Sequence, residues 1–244
     1  MQADGHALLV DAGLPGTRLA SALKERGVNP GDLQAVLVSH EHSDHVSGLD
    51  VLCRRYGAPV IGNEHTLSHM RKRAPRLEYR VSPTGSARSA GHFEISSFPT
   101  NHDAADPVGY VVAAGGARVT VATDLGCETP ELLEAASLSD LVVIEANHDV
   151  HQLLQGPYPA HLKRRILSER GHLSNNQTAE IICNALNTRR QTYWLAHLSR
   201  TNNTKDKAVQ GVVRYLANEG LVTTVLVTER DRPSLVWESS TPSF

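Results

Sequence analysis

The stretch Ser39-His40-Glu41-His42-Ser43-Asp44-His45 follows the apolar run Ala35-Val36-Leu37-Val38 and precedes a segment in which Val46, Leu49, Leu52, Cys53 and Tyr56 recur at helical spacing as far as Gly57. Aliphatic residues without polar alternation suit a parallel strand covered on both faces. A glycine after such a periodic segment ends its helix. The pattern HxHxDH is therefore expected on a strand-to-helix turn. His40 and His42, two residues apart, can aim their imidazoles the same way, while Asp44 and His45 open the helix and face a different point. That arrangement serves two neighbouring metal ions better than one, and paired ions about 3.5–4 Å apart can activate a water and clamp an oxyanion.

Working outward from this turn, Ala7 to Gly13 reads as a strand ending in a turn, where Asp11 either orients the metal turn through hydrogen bonds or is a plain strand-end residue. Thr17 to Arg26 reads as a helix, Asn29 to Asp32 as a turn, Pro59 to Gly62 as a short strand and Glu64 to Arg73 as a helix. From Arg71 the chain turns basic, with Arg71, Lys72, Arg73, Arg76, Arg80 and Arg88 opposed mainly by Glu78. Such a run fits a solvated face, and it is also the best candidate for contact with a phosphate backbone. Ser82 to Gly91 reads as a turn-rich loop, and His92 to Phe98 as a half-exposed strand leading to His102. Val111 to Ala114 and Ala117 to Ala122, separated by Gly115-Gly116, form a hairpin pattern that ends at Asp124.

The second half repeats the theme of strands delivering polar residues. Thr129 to Ala136 is a helix with Pro130 at its first position. Leu141 to Ile144 is a buried strand running into Glu145-Ala146-Asn147-His148-Asp149, and the rigid Gly156-Pro157-Tyr158-Pro159 leads to a basic helix from His161 to Arg170. Ser174 and Gln177 match a capping box for a helix with Ile181, Ile182 and Leu186 inward. Thr192 to Ala196 is a strand delivering His197, followed by a helix with Val209, Val212, Val213 and Leu216 inward and a strand from Leu221 to Val227. The segment 231–244 is polar and is expected to be a loosely held tail. No internal repeat is visible.

Length and composition frame these elements. A chain of 244 residues fits a single α/β domain, 1–244, large enough to bury a substantial core. Its net charge of −2 gives no global attraction to polyanions, so a nucleic acid must be held by local patches or by metals. Three scattered cysteines, Cys53, Cys127 and Cys183, make neither a disulfide framework nor a CxxC zinc site. With no secretory or membrane-spanning apolar run, a soluble cytoplasmic protein is the expectation. The sequence leaves a homodimer open.

Taken together, His40, His42 and His102 with Asp124 make one expected metal pocket, and Asp44, His45 and His197 with the same bridging Asp124 make the second. Imidazole and carboxylate ligands without cysteine suit zinc, manganese or iron. The HxHxDH turn resembles that of the metallo-β-lactamase superfamily, whose fold is a four-layer αββα sandwich. The stretches SHEHSDHVSGL from Ser39, NHDAADPVGY from Asn101, TDLG from Thr123, EANHD from Glu145, GPYPAHLKRRILSERGHLSNN from Gly156 and LAHLSRTNN from Leu195 are similar to the YycJ/WalJ group within it, a branch related to tRNase Z and RNase J. Members of that group begin with a Gly/Ser-rich strand before the LLVDAG-like segment, and this chain departs from the pattern there, so the expectation is either that the usual first strand is missing or that the native chain starts further upstream.

The resemblance implies two divalent metal ions, zinc or manganese, and a nuclease that attacks phosphodiesters with a metal-bridging hydroxide oriented by Asp44. It implies 5′-to-3′ exonuclease action on DNA, favoured over RNA, with a place in DNA repair. By analogy with tRNase Z, Glu145 and His172 are implied as the pair that protonates the leaving group, although HEAT has become EANH here and HST has become HLS, and His172 serves equally to hold a phosphate oxygen or cap its loop. Ser174, Asn175, Asn176, Asn202 and Asn203 are candidates for binding phosphate or sugar and equally serve as caps and turn formers. Competing readings are a β-lactam or thioester hydrolase, an RNA endonuclease of tRNase Z type, and a non-catalytic nucleic-acid-binding module.

Overall fold

The computed structural model describes residues 1–186 and 191–239, and the end of the expected tail, 240–244, lies outside the described residues. These residues gather into two compact units: Met1–Pro99 with Ala104–Gly116 and Asp231–Pro233, and Thr100–Asp103 with Ala117–Arg230 and the chain from Ser234. From 229 to 239 there is no helix or strand.

The first unit carries, in order, β1 (Gln2–Ala3), β2 (His6–Val10), α1 (Gly16–Glu25), β3 (Leu33–Leu37), α2 (Ser43–Val46), α3 (Leu49–Tyr56), β4 (Val60–Gly62), α4 (Glu64–Arg73), β5 (Tyr79–Val81), β6 (Ala87–Ala90), β7 (Phe93–Pro99) and β8 (Val108–Ala114). Strands β2 to β5 pair in parallel, with β1 antiparallel at the edge. β6, β7 and β8 form an antiparallel set. The unbroken apolar run of β3 now has its reason. Val36 and Val38 pack with Leu49, Leu52, Leu67 and Met70 of the helices, whereas Ala35 and Leu37 pack with Phe93, Ile95, Val108 and Tyr110. A strand covered on both faces needs no polar alternation.

The second unit carries β9 (Ala117–Ala122), α5 (Pro130–Ser137), β10 (Leu141–Glu145), α6 (Val150–Gln155), α7 (Ala160–Ile166), α8 (Asn175–Ala185), β11 (Thr192–Ala196), α9 (Lys205–Asn218) and β12 (Thr224–Val227). β9, β10, β11 and β12 pair in parallel in that spatial order. Their register aligns Ala122 with Ile144 and Glu145 with Ala196. Asp124, Glu145 and His197 thus all fall at the carboxyl edge of the sheet, where parallel α/β sheets present their ligands.

Several local expectations are corrected. The single helix from Val46 to Tyr56 is two, α2 and α3, because Ser47 and Gly48 turn the chain so closely that a Cβ on Gly48 would lie 2.0 Å from the Leu14 carbonyl oxygen. Ser82 to Gly91 is not all loop, since β6 pairs with β7 there. The helix expected to reach Arg170 stops at Ile166, and α6 was not anticipated. Val213 faces outward at 44% exposure, and its expected inward place is taken by Ala208 beside Val212 and Leu216. The last strand begins at Thr224, not Leu221.

Candidate metal centre

In the first unit the HxHxDH turn is clasped from behind by the end of β2. Ala12 N–H donates to the His45 carbonyl (2.7 Å) and Gly48 N–H to the Ala12 carbonyl (2.8 Å). Gly13 is obligatory, because a Cβ there would fall 1.6 Å from the Asp44 carbonyl oxygen. Asp11 organises the turn: Oδ1 accepts from the Ser39 N–H (2.8 Å), while Oδ2 accepts from the Ser39 hydroxyl (2.8 Å) and lies 2.7 Å from His45 Nδ1. An acceptor on Nδ1 fixes the tautomer and makes Nε2 the nitrogen that would ligate a metal. His40 Nε2 and His42 Nδ1 face each other at 3.1 Å. The His40 and His45 rings lie 4.1 Å apart between centroids, and the exposed Asp44 carboxylate lies 3.9 Å from His45 Nε2.

In the second unit Glu145, with no exposed surface, is the hub. Its Oε1 accepts from His172 Nδ1 (2.8 Å) and His197 Nδ1 (2.6 Å), and its Oε2 accepts from the N–H groups of Leu125 (3.2 Å) and Leu173 (3.1 Å). Burial opposes its charge, but the two histidines outweigh burial and hold the carboxyl well below its usual range. Burial likewise works against charge on His172, yet Glu145 and Asp124 overcome it and raise the imidazole above its ordinary value. His102 goes the other way: burial lowers it despite Asp124, keeping the ring neutral. Its Nδ1 donates to the Gly171 carbonyl (3.1 Å), so Nε2 is again the nitrogen that would ligate a metal, 3.7 Å from Asp124 Oδ1. Ligand atoms of Asp124, Glu145, His172 and His197 all lie within 4.8 Å of one another.

Among the described residues four non-glycine positions have positive φ, and three of them are Asp11 (58°), Asp124 (59°) and His197 (55°). Such backbone is uncommon for residues with a Cβ and clusters at functional sites. A cavity of about 440 Å³ opens beside the second-unit cluster, with Tyr158, Arg165, His172, His197, Arg200 and Arg230 in its lining. Arg165 is paired with Asp103 at 2.5 Å.

Three of the five other polar candidates, Ser174, Asn175 and Asn203, take structural bonds. Ser174 forms the capping box with Gln177. Asn175 and Asn203 exchange amide hydrogen bonds of 3.1 and 2.8 Å, and Asn203 also donates to the Ala146 carbonyl (2.9 Å). Asn202 is fully buried, and Asn176 is exposed. Sequence reasoning placed Glu145 beside His172 but missed its grip on His197 and the Gly171 carbonyl behind His102, contacts that no local spacing encodes.

A strand-to-helix turn rich in histidine and a carboxylate hub at the sheet edge are features of a family. The chain belongs to the β-lactamase superfamily: the model for the beta-lactamase superfamily domain matches residues 6–197. Its fold is the metallo-β-lactamase fold, as in YhfI from Bacillus subtilis, which superposes with a TM-score of 0.72 at 20% identity over 97% of this chain and 89% of that one. This fold implies divalent metal ions. Two curated relatives are more similar in sequence. Exodeoxyribonuclease YycJ of Bacillus anthracis is 36% identical over 220 residues, 89% of this chain and 83% of the relative. Exodeoxyribonuclease WalJ of Streptococcus pneumoniae is 38% identical over 219 residues, 88% of this chain and 81% of the relative. No helix among the described residues is long and apolar enough to cross a membrane.

Proposed function

We propose that this protein is a metal-dependent phosphodiesterase that shortens DNA strands in the 5′-to-3′ direction, a cytoplasmic exonuclease of the repair type. The two relatives named exodeoxyribonucleases support the substrate. The observation that carries the chemistry is the Glu145–His172 couple at 2.8 Å, at a cavity whose lining includes Arg165, Arg200 and Arg230. A raised imidazole is a proton donor near neutral pH, and guanidinium groups suit phosphate better than a neutral amide or thioester.

His40, His42, His102 and Asp124 are assigned to one divalent ion, zinc or manganese, and Asp44, His45, His197 and Asp124 to a second. The donor set fits: His45, His102 and His197 each have Nδ1 engaged by an acceptor, which leaves Nε2 for a metal. Bound ions of this kind lower the pKa of water and neutralise charge on phosphoryl oxygens. Asp44 accepts a hydrogen bond from the attacking water and orients it in line with phosphorus. As the bond to the departing oxygen breaks, His172 passes it a proton, and Glu145 stabilises the charged imidazole before transfer and fixes its direction. The cationic cavity binds the phosphate and sugar on the departing side.

The test is cleavage of single- and double-stranded DNA and RNA labelled at either end, with purified protein loaded with manganese or zinc. The expected result is stepwise loss of 5′ label from DNA, abolished in Asp44→Ala and His42→Ala variants with native circular dichroism. Activity that survives both substitutions overturns the reading, as does turnover of nitrocefin far above that of DNA.

A further inference from the structure

We infer that the notch between α3 and the carboxyl end of α4 is a second contact site for nucleic acid, gripping the phosphodiester backbone on its way to the metal turn; this rests on the nuclease reading above. The notch has a volume of about 260 Å³ and is lined by Asp50, Arg54, Arg73, Ala74, Pro75 and Arg76. It is smaller than the roughly 300–1,000 Å³ of clefts that take organic ligands, and it lacks their apolar lining. Three guanidinium groups around a space of that size suit phosphate groups, not a base.

Ordinary helix physics explains part of this charge but not all of it. Arg54 and Arg55 close α3, and Arg71, Lys72 and Arg73 close α4, where cations complement the helix dipole. Arg54 also pairs with Asp50 at 3.5 Å, and Arg71 with Glu64 at 2.5 Å. Arg76 lies beyond the end of α4 and Lys72 points to solvent; both are exposed, and neither has a hydrogen-bond or ion-pair partner among the described residues. Arg54, Arg71, Lys72, Arg73 and Arg76 stand against Asp50 and Glu64, an excess of three positive charges in a chain of net charge −2. Charge is therefore concentrated here, as a surface that tracks a polyanion requires.

One of these residues joins the notch to the chemistry. Arg73 Nη1 donates to the carbonyl oxygen of Glu41 (2.9 Å), the residue between His40 and His42. The Glu41 carboxylate in turn accepts from the Ala105 N–H (2.9 Å). A backbone held at Lys72, Arg73 and Arg76 is thus tied through one side chain to the segment that presents two metal-ligating histidines.

The experiment compares wild type with the double variant Lys72→Ala/Arg76→Ala and with Lys24→Ala/Arg26→Ala, an equal charge change at the end of α1. Anisotropy of labelled single- and double-stranded DNA is measured in EDTA across a salt series, and hydrolysis of bis(p-nitrophenyl) phosphate is measured on the metal-loaded enzymes. For duplex DNA, each lost phosphate contact lowers the slope of log affinity against log salt by about 0.9. The expected result is a slope reduced by about 1.8 in Lys72→Ala/Arg76→Ala, little change in the α1 variant, and unaltered hydrolysis of the small substrate in both. An unchanged slope in the first variant, or an equal reduction in the α1 variant, overturns the notch while leaving the nuclease reading standing. Wild type that neither binds nor cleaves DNA overturns both.

Discussion

His148 is fully buried, and neither ring nitrogen has a hydrogen-bond partner among the described residues. Burial pushes its pKa from 6.5 down to about 4, against the pull of Glu145 and Asp149. The sign follows from linkage. Between those two values the unfolded chain binds a proton that the folded chain refuses, so the neutral ring costs nothing above the unfolded pKa and destabilises progressively as pH falls toward the folded one. A shift of about 2.5 units at about 1.36 kcal/mol per unit gives about 3 kcal/mol in full, of which about 2.5 kcal/mol is reached by about pH 4.5. His148→Leu keeps a similar volume and removes both the proton site and two desolvated nitrogens, so at neutral pH it is near neutral or stabilising. Urea unfolding of both proteins in EDTA, followed by circular dichroism at about pH 7.5 and 4.5, reads the difference directly. Wild type should lose about 2.5 kcal/mol more than the variant on acidification. Equal losses would refute the assignment of a buried, neutral His148.

Glu145→Gln removes the charge that raises the His172 imidazole above its ordinary value. DNA hydrolysis should fall by about 10²–10⁴-fold, and the alkaline limb of its pH profile should move to lower pH; an unmoved limb argues against His172 as the donor. Asp11→Asn weakens the hold on His45 and Ser39 and should lower zinc affinity by about 10–100-fold, read by competition with a chromophoric chelator, with unchanged affinity as the contrary result. Asn175→Ala and Asn203→Ala should each cost about 1–3 kcal/mol by leaving the partner amide unpaired, while the double variant should cost less than the sum; strict additivity in urea melts would show that the pair is not coupled. Gly13→Ala drives a Cβ into the Asp44 carbonyl and should abolish metal uptake by the turn, whereas native zinc stoichiometry would show that the close approach is not required.

The elements that could be read from sequence are those whose signals are local. α4 runs from Glu64 to Arg73 as its residues announce, because Asn63 caps it with a hydrogen bond to the Thr66 N–H. α8 starts where Ser174 and Gln177 close their box. β3 could be recognised as a central strand because its apolar run leaves no solvated face. β5 and β6 could not: they are three and four residues long, carry Arg80 and Arg88, and owe their existence to neighbours on the sheet, not to a period of their own. The outward turn of Val213 likewise depends on how α9 is rotated against α8, a choice that aliphatic spacing alone leaves open.

The candidate site divides along the same line. Histidines and carboxylates were visible as candidate ligands because the HxHxDH spacing and the strand ends are local features. Their holders were only partly so: Asp11 at the end of its strand could be offered as a partner of the metal turn, but Glu145 lies 52 residues from His197 and the Gly171 carbonyl 69 from His102. The backbone shows why these positions cannot be relaxed. Asp11, Asp124 and His197 occupy left-handed conformations that a glycine would adopt without strain, at a cost on the order of 1–3 kcal/mol each. Glycine would relieve that strain and delete the carboxylate or imidazole that the turn exists to present. Strain at three site residues that sequence pattern does not flag is therefore what chemistry adds to folding here, and it explains why sequence pointed to candidate ligands while leaving most of the means of holding them to the structure.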